Sequence, residues 1–191
     1  MRRDLAVNIA ACTPAAIQGR FQRHSSMKWA PLTGSASGGR WGRANAYSVL
    51  YLGRPEESVV IEAYRHLVDD IEGMRPELVQ PRLVVTCEIN VTNLLDLRST
   101  EHRLRIGLNS DDLASEVGDH DSCQQIGAVA HQLGLHGAIA PSASGHGETL
   151  ALFEQHLPAN ELPIQIGEGL VWDGLPADPR RPNLRVVDHE D

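Results

Sequence analysis

Apolar positions along this chain fall into short runs separated by glycine, proline and charge. The run "VLYL", Val49 to Leu52, is continuous and stops at Gly53, the pattern of a buried strand. Directly after it, "GRPEESVVIEAYRHLVDDIEG" switches to helical spacing, with Val60, Tyr64, Leu67 and Ile71 on one stripe. Pro55 suits the first turn of that helix, Glu56 and Glu57 complement its positive end, and Gly73 lies beyond its close. "RLVVTCEI" from Arg82 predicts a strand, and "NLLDL" from Asn93 predicts its neighbour after a short turn. "SCQQIGAVAHQLG" predicts a helix with Asp121 or Ser122 as its cap and Gly134 as its stop. "GAIA" from Gly137 and "TLALFE" from Thr149 predict strands on either side of the loop "PSASGHGE". Beyond Leu157 the chain turns proline-rich, with strand-like pieces "LPIQI" and "LVW".

Strands and helices therefore mix without regular alternation. Neither GxGxxG nor GxxxxGK[ST] occurs, which disfavours a doubly wound nucleotide fold. A chain of 191 residues is long enough for one well-packed domain and short for two, and no repeat or long linker divides it. The expected class is α+β, a single domain over residues 1–175 followed by a polar, loosely held tail over 176–191.

Composition narrows the function classes. Apolar residues at 41% and charged residues at 22% argue against wholesale disorder. A formal net charge of −8 argues against the broad basic surface of a nucleic-acid binder, local patches such as "GRFQR" notwithstanding. No apolar run approaches the roughly 18 residues of a membrane helix. The N-terminal "MRRDLAVNIAACTPAA" has the arginines and small residues of a signal peptide, but Asp4 and Asn8 interrupt its apolar part, so export is not expected. Cys12, Cys87 and Cys123 form no CxxC and leave one over if two pair, which fits reduced thiols in a cytoplasm. The closest histidine grouping, His131, His136 and His146, lacks HExxH and zinc-site spacing, so no metal is expected.

Four positions invite chemistry. In "GSASGGRWGRANAYSVLYL" two glycines precede Arg40 and Trp41. Paired glycines let a backbone approach a ligand closely, and an arginine beside them offers a rigid fork for phosphate or carboxylate. The alternative is a turn before a strand, with Arg40 solvated and Trp41 in the core. Glu62 falls off the apolar stripe of its helix, beside Arg65 and His66, and reads equally as a surface ion pair. Ser142 sits in "APSASGHG" after an apolar strand, but the strand–GxSxG–helix context of a nucleophile elbow is absent. Arg20, in "QGRFQ", is uninformative alone.

Taken in order, Arg20, "GGRW" with Arg40, "LYL" with Tyr51, Glu62 eleven positions later, and "GAIAPSASG" with Ser142 resemble the RES domain family, toxins of bacterial toxin–antitoxin pairs. The resemblance runs from about Arg20 to Phe153. One departure is Gly42, where the family usually has Asn after GGRW; Asn45 is the nearest substitute.

The resemblance implies a fold like that of ADP-ribosyltransferases, with a mixed β-sheet core and flanking helices. It also implies cleavage of NAD at the nicotinamide–ribose bond, with water or phosphate as acceptor. NAD is then substrate and no resident cofactor is expected. Arg20 and Arg40 would clamp the phosphates, Tyr51 would stack on or bound the nicotinamide, and Glu62 would stabilise the charge developing on the ribose. Ser142 would orient the ribose or carboxamide. The expected partner is an antitoxin with an Xre-like DNA-binding domain, in a cytoplasmic hetero-oligomeric complex. Two alternatives stand beside this reading: a mono-ADP-ribosyltransferase acting on a protein, and an inactive antitoxin-binding module.

Overall fold

The structure, a computed structural model, describes residues 2–114 and 120–181. Its strands are β1 (Ala15–Ser26), β2 (Val49–Arg54), β3 (Arg82–Asp96), β4 (Gly137–Pro141), β5 (Glu148–Phe153) and β6 (Ile164–Trp172). Helices α1 (Arg2–Ala10), α2 (Glu56–Tyr64), α3 (Thr100–Ile106), α4 (Ser110–Ala114) and α5 (Asp121–Gln132) join them. The sheet order is β1-β2-β5-β4-β3-β6, and β1 also pairs with β3, so five strands close on themselves while β6 stays outside. Among the described strands only the β3–β4 pair is parallel, which makes this a mixed sheet in an α+β domain.

Strand alternation fills the ring. Ile17 and Phe21 of β1, Leu50 and Leu52 of β2, Cys87 and Ile89 of β3, Ile139 of β4, and Leu150 and Leu152 of β5 share one buried cluster. The alternate positions face the helices. Val49, Ala138, Ala140, Ala151 and Phe153 pack with Ile9 of α1, Ile106 of α3, and Cys123, Ile126 and Val129 of α5. Alanines dominate that face of β4 and β5, so α5 sits close. On the other side Val59, Val60, Ala63 and Tyr64 of α2 pack on Val84 and Trp172. All three cysteines are free and buried.

Several elements differ from their sequence reading. "RLVVTCEI" and "NLLDL" are one strand rather than two neighbours across a turn. Asn93 takes a left-handed φ of 54° inside β3, where β1 runs from Ala15 opposite Leu94 to Ile17 opposite Val91. Thr92 and Asn93 then oppose the single residue Ala16, a β-bulge that Asn tolerates. Likewise "LPIQI" and "LVW" join as β6 through Gly167 at φ 66°. Helix α5 is preceded by His120 at its N-cap, so Asp121 and Ser122 are already helical. The helix read from Gly53 to Gly73 is α-helical only to Tyr64 and then widens into a π-turn, Arg65–Asp69. Ile71 consequently leaves the apolar stripe and is exposed.

The start of the expected tail is held down. Tyr64 donates its hydroxyl to the Pro176 carbonyl at 2.8 Å, and Arg180 bridges Asp178 and Asp69. Residues 182–191 lie outside the described residues.

Candidate active site

Residues 34–48 form a compact loop whose two ends one carboxylate ties together. Glu154 Oε1 accepts from the Gly34 amide at 2.7 Å, and Oε2 accepts from Ser48 Oγ at 2.6 Å. Inside the loop Gly39 and Gly42 pair across a tight turn, so Gly42 is a bridge residue, and Asn45 at φ 61° donates its amide to the Ala36 carbonyl. Gly38 at φ 95° needs glycine, and a Cβ on Gly39 would come within 2.8 Å of the Tyr51 hydroxyl oxygen.

Trp41 anchors the turn. It is 1% exposed; its amide donates to Tyr51 Oη at 2.9 Å and its carbonyl accepts from Tyr47 Oη at 2.7 Å. Gly127 lets α5 touch this backbone, since a Cβ there would lie 2.1 Å from the Trp41 carbonyl oxygen. Gln124 of α5 donates to the Gly39 carbonyl at 3.0 Å. Arg40 Nη1 donates to the Asp112 carbonyl at 3.1 Å, and Arg40 lies beside Cys123, so part of its fork braces the turn against α4 and α5. Burial pushes the Tyr51 phenol well above its usual value and the Tyr47 phenol up to about 12, so both stay protonated, Tyr51 accepting from the Trp41 amide and Tyr47 donating to its carbonyl.

Helix α2 presents Glu62 across from the β4–β5 loop. Ser142 is 5% exposed, and its Oγ donates to Glu62 Oε1 at 3.1 Å. The serine is itself fixed, its amide bonded to the Gly147 carbonyl and its hydroxyl accepting from the Ser144 amide. Arg65 Nη1 donates to the Ala143 carbonyl at 3.0 Å, a second tie between α2 and this loop. The other carboxylate oxygen, Oε2, faces His66 Nε2 at 3.7 Å.

These pieces meet around a cavity of about 250 Å³ whose wall includes Arg23, His24, Arg40, Tyr51, Glu62 and His66. Ser142 adjoins it through Glu62. Arg40, Tyr51, Glu62 and Ser142 are thus brought together from four separate segments. Arg20 is not; it lies on the exposed face of β1, opposite Glu88 in register, and outside the cavity wall. Arg23, which the sequence analysis does not single out, lies in the cavity wall. Its Nη1 donates to the Thr33 carbonyl at 2.9 Å, and burial lowers its pKa below the usual arginine value. Gln22, Arg23 and His24 all line the cavity, so strand alternation alone does not single Arg23 out. His24 is pushed down to about 3 by burial and then by Arg82, His66 and Arg23, so it is neutral at working pH. Among the described wall residues Glu62 is the one carboxylate, and the others are cationic, neutral or imidazole.

The three histidines grouped in the sequence part company. His131 stacks on Tyr47 at 4.1 Å, His136 Nδ1 lies 2.7 Å from Glu161 Oε2, and the His146 amide donates to Ser144 Oγ. No helix among the described residues is long and apolar enough to cross a membrane.

The chain is 25% identical over 128 residues to the NAD(+) phosphorylase MbcT of Mycobacterium tuberculosis, an alignment covering 67% of this chain and 68% of that protein. MbcT of Mycobacterium bovis gives the same figures. The solved M. tuberculosis MbcT–MbcA toxin–antitoxin complex matches with a TM-score of 0.76 at 21% identity, over 88% of this chain and 92% of that one. The profile of the RES domain spans residues 16–173, all of the sheet but the first residue of β1 and the cavity with it, and the chain belongs to the RES domain family.

Proposed function

We propose that this chain is the toxin of a toxin–antitoxin pair and depletes NAD by cleaving the nicotinamide–ribose bond in the cavity beneath the GGRW turn. The observation that carries the reading is Glu62, held by Ser142, a carboxylate in a wall that also holds Arg23 and Arg40. NAD brings two phosphates for arginines and one glycosidic carbon that becomes cationic as nicotinamide departs. The C–N bonding pair goes to the ring nitrogen and neutralises the pyridinium, so no general acid is needed. Glu62 stabilises the charge left on the ribose, a preorganised effect worth about 3 kcal/mol, or roughly a hundredfold in rate. Ser142 orients that carboxylate.

The cavity is smaller than the roughly 300 Å³ at which drug-sized ligand sites begin, so it suits the nicotinamide riboside half of NAD and leaves the adenosine half beyond its mouth. The phosphate role that the resemblance implied for Arg20 falls in this reading to Arg23, which shares the cavity wall with Arg40. Tyr51, its ring against the turn, bounds the nicotinamide end. The acceptor oxygen bonds to the ribose carbon and gives its proton to solvent. The relative's name, NAD(+) phosphorylase, favours phosphate over water. The likeness to ADP-ribosyltransferases belongs to the same proposal, as does an antitoxin partner with an Xre-like DNA-binding domain; the similar chain was solved with an antitoxin. A chain of net charge −8 leaves DNA contact to that partner.

The test is direct. Purified protein, free of antitoxin, should release nicotinamide from NAD and yield ADP-ribose, or its 1-phosphate when phosphate is supplied. No release under either condition refutes the reading.

A further inference from the structure

Glu62 has two oxygens, and only one has a fixed partner. Oε1 accepts from Ser142, while Oε2 faces His66 Nε2 at 3.7 Å. That separation is too long for a hydrogen bond to a neutral imidazole and short enough for an ion pair with an imidazolium. Both side chains belong to the cavity wall and sit one helical turn apart, where (i, i+4) residues face each other. His66 is 49% exposed, so it exchanges protons with solvent, whereas Glu62 is 24% exposed.

We propose that His66 is a positioning residue for Glu62, holding the carboxylate as an imidazolium at acid pH and releasing it to the ribose when neutral. The inference rests on the NAD reading above. Oε2 is the oxygen left to meet a ribose hydroxyl, so the imidazolium and the substrate compete for it. Pairing also cancels the negative charge on which transition-state stabilisation depends. Five other charged or titratable groups among the described residues belong to this environment: His24 and Arg23 from β1, Tyr51 from β2, Arg82 from β3, bonded to His24, and Arg40 from the turn. The arginines are permanent cations, and burial holds both His24 and the Tyr51 phenol neutral. His66, half exposed and facing Oε2, is therefore the described imidazole of the wall placed to carry a proton toward Glu62.

Two measurements test this. Proton NMR of the His66 ring should show its titration midpoint falling by roughly half a unit or more in Glu62→Gln, because the imidazolium loses its counter-charge. In steady-state assays of nicotinamide release, wild-type kcat should fall about tenfold from about pH 8 to about pH 5.5, with KM changing little, and His66→Gln should lose most of that slope. A His66→Asn variant guards against a local effect of glutamine. An unmoved midpoint overturns the pair, whether or not the protein cleaves NAD. An unchanged acid limb in an active His66→Gln protein overturns its control of turnover. Absence of NAD cleavage at every pH would instead refute the functional reading, with the midpoint still deciding the pair.

Discussion

Ser142 and Glu62 are eighty positions apart in the chain, yet the serine hydroxyl donates to the carboxylate across 3.1 Å. Hydrogen bonds to a charged group are worth about 1.5–3 kcal/mol, more than neutral ones. Ser142→Ala should therefore lower kcat for NAD cleavage by roughly tenfold to a hundredfold with KM little changed. Glu62→Gln keeps the shape and removes the charge, and should cost about a hundredfold in kcat. Near-normal turnover by folded Glu62→Gln protein would remove the carboxylate from the mechanism.

Arginine position gives a paired comparison. Arg23→Ala should raise KM for NAD by roughly tenfold or more, since it removes a partly buried cation from the cavity wall. Arg20→Ala, on the exposed face of β1, should stay within about twofold of wild type. Arg40→Lys keeps a charge but loses the fork shared with the Asp112 carbonyl, and should raise KM by roughly tenfold. Equal effects at positions 20 and 23 would return the phosphate role to the exposed residue.

Gly127→Ala tests the packing behind the turn. The added Cβ would meet the Trp41 carbonyl oxygen at 2.1 Å, and that neighbour is backbone, which cannot swing away. Destabilisation of about 2–4 kcal/mol is expected, read as a lower midpoint in urea denaturation. A midpoint matching wild type would show that α5 and the turn are free to separate.

Stability at acid pH should report Glu161. Its carboxyl is lowered below the usual range: burial opposes ionisation, but hydrogen bonds from Thr92 and contact with His136 outweigh it. A carboxylate with a depressed folded-state pKa adds stability above its unfolded value and loses it as pH falls through the folded one. The urea midpoint should drop on acidification below the ordinary carboxylate range. Glu161→Gln should be less stable at neutral pH and show a shallower acid decline. Parallel pH profiles for the two proteins would exclude this contribution.

Much of the site was legible because it lies where local patterns are strong. Tyr51 and Glu62 sit on a continuous apolar strand and the helix after it, and Ser142 closes the apolar strand β4. Arg23 was not, because β1 reads "AAIQGRFQRHSS", a strand whose alternation is diluted by arginine, glutamine and histidine. Such a strand is recognisable only once its long partner β3 is in view. Asn93 misled for a related reason: a left-handed asparagine marks a turn or a bulge, and the register of two strands decides which. The docking of Pro176 to Arg181 was also invisible, since its partners Tyr64 and Asp69 are more than a hundred positions away.

Glu154 gives the loop 34–48 a behaviour of its own. With Gly34 and Ser48 both tied to one side chain, the entropy of closing the segment is met at a single point rather than along its length. Its internal bonds, Gly39 to Gly42 and Asn45 to Ala36, join residues within the same segment. The loop should therefore open in one cooperative event, below the free energy of global unfolding, with the amides of Gly39, Trp41 and Asn45 exchanging with deuterium at a common rate while the strands beneath stay protected. In Glu154→Gln the common rate should rise for all three amides together, and substrate entry would be governed by a latch that never touches the substrate.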